Sequence, residues 1–143
     1  MNEDFVTYEL AVKLKEKGFN EPCFGWYYSS EVCGLDYKTT IVFNNSAYRG
    51  SNYKDMLVSH KDEKHIDAPT ISQVLKWLRE EKKIYIVIAV NPTLSTKDKI
   101  AYYYQVYSNS NGETSDYYES EECYAQWEDC AIDSIKYVLD ELI

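Results

Sequence analysis

The sequence predicts an α+β domain in which an antiparallel sheet of about four strands carries three helices packed mainly on one face, the C-terminal helix being the longest. Three observations lead there. Apolar residues recur at helical spacing near both ends and once in the middle of the chain. Between those segments lie stretches that alternate polar with apolar, or are apolar on both sides, as strands are. The resulting order of helix, strands, helix, hairpin, helix lacks the regular strand–helix–strand succession of a parallel sheet and favours antiparallel pairing. With no internal repeat or linker visible in 143 residues, the span 1–143 is read as a single globular domain.

The first helix is expected over Tyr8–Lys17. Thr7 can cap it, Val6 is placed to staple onto Ala11, and Leu10, Ala11 and Leu14 form the buried stripe. Gly18 supplies the left-handed residue that ends it, with Phe19 folding back on Leu14. After Pro22, Cys23–Tyr28 reads as a strand with Phe24, Trp26 and Tyr28 on one face, and Tyr37–Phe43 alternates as a second. Residues 44–67 then turn polar and are assigned to a long loop or partly disordered insertion. Thr70 and Gln73 fit a capping box opening a second helix, with Ile71, Val74, Leu75 and Leu78 inward and an end near Lys82.

Ile84–Val90 is apolar on both faces, which predicts a central strand. Ile100–Tyr107 alternates as its hairpin partner, placing Tyr103 and Tyr107 on one side with Tyr85 of the neighbouring strand. Ser120 is the expected cap of the last helix, running almost to Ile143. At helical spacing, Cys123, Tyr124, Trp127, Cys130, Ala131, Ile135, Val138 and Leu142 face the core. Glu122, Asp129, Asp133 and Asp140 form an acidic stripe opposite, and Ala125, Ile132, Leu139 and Ile143 make a second apolar edge.

The formal net charge is −9 and is unevenly placed. Residues 113–143 hold ten acids and one base, whereas residues 1–112 hold fourteen of each. A chain without a basic footprint is a poor nucleic-acid binder, so no direct nucleic-acid contact is expected. No apolar run approaches a membrane span, and the acidic start Met1–Thr7 does not resemble a secretory leader, so a cytoplasmic setting without membrane contact is expected. The four cysteines read as reduced, small core residues; Cys123 and Cys130, seven apart on one helix, would lie about 10.5 Å apart along its axis, too far to bridge. Fifteen tyrosines suggest a half-wet sheet face or an interface.

Gly18 to Cys23, then Ala68 to Thr70 with Trp77 to Glu80, then Tyr137 to Leu139 with Leu142 and Ile143, together resemble small uncharacterised proteins of gut anaerobic bacteria and their phages or integrated elements. The likeness covers about two thirds of the chain and is weakest from Asn44 to Asp67. It implies a bacterial or phage-infected cell and transfers no catalytic residue.

Catalytic and metal chemistry find little support. His60, His65, Cys23 and Cys33 lack the short knuckle spacing of structural zinc, so no metal and no cofactor are expected. A cysteine paired with one of the histidines is a combination that composition permits, and no phosphate-cradling loop or nucleophile elbow accompanies it. The expected function is therefore non-catalytic: an accessory protein binding another macromolecule, with the stripe Glu122, Asp129, Asp133 and Asp140 docking on a basic partner surface. The alternative is a small-ligand or nucleotide binder using the face of Tyr85, Tyr103 and Tyr107. The same tyrosines, with Ile132 and Leu139, are the expected contact of a homodimer.

Overall fold

The computed structural model describes residues 4–28, 41–43, 57, 59, 65–109 and 116–143. The chain is α+β and divides into two compact units, Met1–Thr70 and Ile71–Ile143, each with its own three-stranded antiparallel sheet. The single sheet of about four strands is thus replaced by two sheets of three.

In the first unit, α1 (Tyr8–Glu16) begins where the Thr7 hydroxyl accepts from the Leu10 amide at 3.3 Å. It ends in a Schellman turn: Gly18 takes φ 92°, its amide donates to Lys15 O at 3.1 Å, and the Phe19 amide donates to Leu14 O at 2.9 Å. Leu10, Ala11 and Leu14 are buried, as their spacing predicts. β1 (Gly25–Tyr28) is the middle strand, flanked by β2 (Val42–Phe43) and β3 (His65–Ala68). Gly25 is opposite Phe43 on one side and Ala68 on the other, and Tyr27 is opposite Ile66.

β3 corrects the sequence reading, because His65–Asp67 lie in the segment assigned to a loop. Ile66 and Ala68 are buried while His65 and Asp67 are half-buried, the alternation of a strand with one wet face. Residues 37–40, and most of 44–64, lie outside the described residues. Tyr27 ties this unit's elements together. Its ring packs edge-on against Tyr8 at 5.8 Å, and its hydroxyl donates to Val6 O at 2.7 Å, while the Val6 amide donates to Pro69 O.

In the second unit, α2 (Ile71–Trp77) follows Thr70 directly and continues as a π-helical turn, Leu78–Lys82, closed by the Lys83 amide on Leu78 O. Lys83 is left-handed at φ 56° and starts the descent into β4 (Ile84–Val90). β4 pairs with β5 (Tyr102–Ser108), which pairs with β6 (Asp116–Glu119). β4 is therefore an edge strand among the described residues, and β5 the central one, a second correction. Apolar character on both faces does not set a strand's place in its sheet: Tyr85 is 40% and Val87 43% exposed, so one apolar face of β4 is open, and its pairing with β5 alone makes it an edge. β6 has no counterpart in the sequence reading.

The third helix, α3 (Trp127–Tyr137), extends through a π-helical turn, Val138–Leu142. It packs on β4 and β5. Its buried side is Cys130, Ala131, Ser134, Ile135, Val138 and Leu139, against the inner-face Ile84, Tyr104 and Val106 of the sheet. Each such fully buried aliphatic side chain contributes about 1.5–3 kcal/mol by leaving water. Ser134 is fully buried and keeps its hydroxyl satisfied by donating to Ala131 O at 2.6 Å.

The start of this helix is the third correction. Ser120 does not cap it: the Ser120 hydroxyl accepts from the Tyr104 amide at 3.1 Å and donates to Glu122 O. Tyr124 forms a β-bridge with Tyr102 through two 2.8 Å hydrogen bonds, which holds residues 120–124 against the sheet and delays the helix to Trp127.

Candidate functional site

Asp129, Asp133 and Asp140 are exposed on α3 and its terminal turn. Separations of four and seven residues return to one side of a helix, so these three of the four residues named for the stripe share its exposed side. Glu122 does not belong to it. It lies in the bend before the Tyr124 bridge, five residues ahead of the helix. Lys136 is the sole base on the helix.

The stripe borders a recess of about 250 Å³ lined by Tyr104, Tyr124, Asp133, Lys136, Tyr137, Asp140 and Glu141. Tyr104 forms its floor, 5% exposed, with ring centroids 6.2 Å from Tyr124 and 6.4 Å from Tyr137. Tyr137 stacks on Tyr118 at 3.9 Å and 12°, which fixes the outer wall. Burial raises the Tyr124 phenol's pKa, and its hydrogen bond to the Asp133 carboxylate raises it further. Burial likewise raises that of Tyr104, with Tyr118 adding to it. Both hydroxyls accordingly stay neutral donors at physiological pH, and the negative charge of the recess resides on its carboxylates.

The tyrosine face is also assembled. Tyr85 is opposite Tyr107, Ala89 opposite Tyr103 and Val87 opposite Gln105, so all six side chains share the sheet face turned away from α3. β6 adds Tyr117, 52% exposed, opposite Tyr107 with ring centroids 5.1 Å apart. Gln105 Nε2 donates to the Tyr117 hydroxyl at 3.1 Å. Two residues named for a homodimer contact fare differently. Ile132 is half-buried, whereas Leu139 is 1% exposed and offers no surface.

Several expected core positions move. Cys123 is exposed and off the helix, so helix spacing does not govern its relation to Cys130, and its sulfur meets Asn91 Nδ2 at 3.6 Å. Trp127 is 37% exposed. Cys23 and Cys130 are buried thiols, and burial pushes the Cys130 thiol up to about 12, with Asp133 and then Cys123 contributing. Neither is a ready nucleophile. His65 packs its ring on Trp26 at 4.4 Å, and His60 and Cys33 lie outside the described residues. Among the described residues no group of three or more His, Cys, Asp or Glu is placed to hold a metal ion. None of their helices is long and apolar enough to cross a membrane.

Sequence reasoning did not single out Tyr104, Tyr124, Tyr137 and Glu141 as site residues. The available signal was the abundance of tyrosine around the acidic segment, but which rings converge depends on the 102–124 bridge, which pattern does not encode. Comparison of the chain with protein-family models, with curated proteins and with solved structures finds no match.

Proposed function

We propose that this chain is a non-catalytic accessory protein of a bacterial or phage element, and that it binds a protein partner with a basic surface through the acidic face of α3. One observation supports this above the others: Asp129, Asp133 and Asp140 are exposed along one side of a helix whose opposite side is buried. Such a face attracts a basic surface over about a Debye length, roughly 8–10 Å at physiological salt. The test is capture of partners from the native host by the full chain, identified by mass spectrometry, at about 50 and about 500 mM salt. The triple change D129N/D133N/D140N should abolish the salt-sensitive partners. Their retention by the triple variant removes the stripe from consideration.

A second reading has its own observation. Tyr85, Tyr103, Tyr107 and Tyr117 lie on one sheet face, and such a face can stack a planar ligand. Thermal-shift measurements against nucleotides and cyclic nucleotides test it. An increase in melting temperature that Tyr107→Ala removes supports a ligand there, and no shift with any of them argues for the partner reading.

A further inference from the structure

We infer that the recess beside the acidic stripe holds one arginine side chain of the partner. This rests on the basic-partner reading and narrows it from a helix face to a single open recess. Three tyrosine rings meet there, Tyr104 lying 6.2 Å from Tyr124 and 6.4 Å from Tyr137. Asp133, Asp140 and Glu141 edge the same volume of about 250 Å³. Aromatic faces attract cations, and carboxylates supply the net charge that draws one in. Lys136 is the single base on the rim, so three acids outnumber it.

Size and shape select the occupant. Pockets for drug-sized ligands run from about 300 to 1,000 Å³, so a recess of this volume suits a single side chain. Between the two basic side chains, guanidinium is planar and weakly hydrated, stacks on aromatic rings and accepts carboxylates at its edge. Ammonium is a strongly hydrated point charge that gains less from ring walls. The walls are also fixed before binding, because Tyr104 is buried and Tyr137 is stacked on Tyr118, so little ordering cost falls on the complex.

The probes are two fluorescein-labelled decapeptides, one alternating glycine with arginine and one alternating glycine with lysine, titrated into the full chain by fluorescence anisotropy. The arginine peptide should bind about fivefold more tightly, the factor that corresponds to one good cation–π contact. Tyr137→Leu should erase that preference and Tyr137→Phe keep it, with near-ultraviolet circular dichroism reporting the fold. Two rim variants leave the rings untouched: Lys136→Gln should strengthen arginine binding about twofold and Glu141→Gln weaken it by a similar factor. Asp129→Asn, outside the recess, should weaken both peptides alike. Equal affinity for the two peptides, unmoved by the Tyr137 and rim variants, overturns the recess while leaving the stripe standing if D129N/D133N/D140N still weakens both. Absence of salt-dependent binding to either peptide overturns the stripe as well.

Discussion

Tyr27 offers a test in which one hydroxyl has two effects of opposite sign, separated by pH. Its hydroxyl donates to Val6 O at 2.7 Å from a ring that is 5% exposed. Tyr27→Phe keeps the ring and leaves that buried carbonyl without its donor, which costs about 1–2 kcal/mol near neutral pH. In the folded protein burial pushes the phenol up to about 12 from an ordinary value of 10, with Glu9 adding to it. A raised phenol means that the folded chain keeps its proton where the unfolded chain has lost it. The stabilisation is therefore fully present below about pH 10 and declines as pH rises, by about 1.4 kcal/mol per pH unit up to the folded value.

The Phe variant has no such loss. Near pH 11 the wild type gives up about 1.4 kcal/mol that the variant keeps, so the difference between them should shrink to about zero. The raised phenols of Tyr104 and Tyr124 ionise in both proteins and cancel in the comparison. Urea unfolding of both proteins near pH 7, 9 and 11 measures the difference directly. A penalty for Tyr27→Phe that is as large near pH 11 as near pH 7 would refute the burial of a neutral phenol at this position.

Gly25→Ala should destabilise by about 1–3 kcal/mol, read from urea unfolding, because its new Cβ would lie 2.5 Å from Ile41 Cγ2 and 3.1 Å from the Val42 carbonyl; an unchanged midpoint would mean that β2 moves aside at no cost. Val87→Lys puts a charge at the centre of the exposed side of β4, and should slow aggregation at high concentration while changing stability by no more than about 0.5 kcal/mol; light scattering unchanged from wild type would show that this sheet face is not where chains associate. Asp133→Asn removes the carboxylate beside Tyr124, so that phenol should ionise at lower pH than in the wild type, followed by phenolate absorbance. Superimposable titration curves would break the link between Asp133 and the recess.

What was legible in the sequence was what neighbouring residues decide among themselves. α1 has its cap, stripe and glycine stop within Thr7–Phe19, and all three are where the pattern puts them. β4 carries an unbroken apolar run and β5 an alternation, over seven residues each, enough to predict both the pairing and the shared face of Tyr85, Tyr103 and Tyr107. The failures lie where a distant segment decides. β3 is four residues long, and its two polar positions, His65 and Asp67, continue a charge run that reads as loop. β6 is equally short, with acids at both ends. Cys123, Tyr124 and Trp127 sit at helical spacing, yet Tyr102, far off in sequence, holds Tyr124 in a bridge and pulls the acidic Glu122 off the helix. The order of strands escapes pattern for the same reason: two apolar faces describe β4, and only its neighbours make it an edge.

The distribution of the carboxylates on α3 separates those that stability explains from those that it does not. Packing commits one side of the helix to the sheet, so its acids are confined to the other side. Glu128 and Asp129 occupy the first turn, where the positive end of the helix favours carboxylates by about 0.3–1 kcal/mol each. Asp140 and Glu141 lie in the terminal turn, which has acids and no base, at the negative end where the same effect runs against them. A helix selected only for stability would place lysine or arginine there. These two residues line the recess with Tyr104, Tyr124 and Tyr137, so the carboxylates that the helix disfavours are the ones that a cationic side chain would meet. The carboxylates at the two ends of α3 thus stand differently toward the helix: its positive end favours Glu128 and Asp129, whereas Asp140 and Glu141 sit at its negative end against that preference.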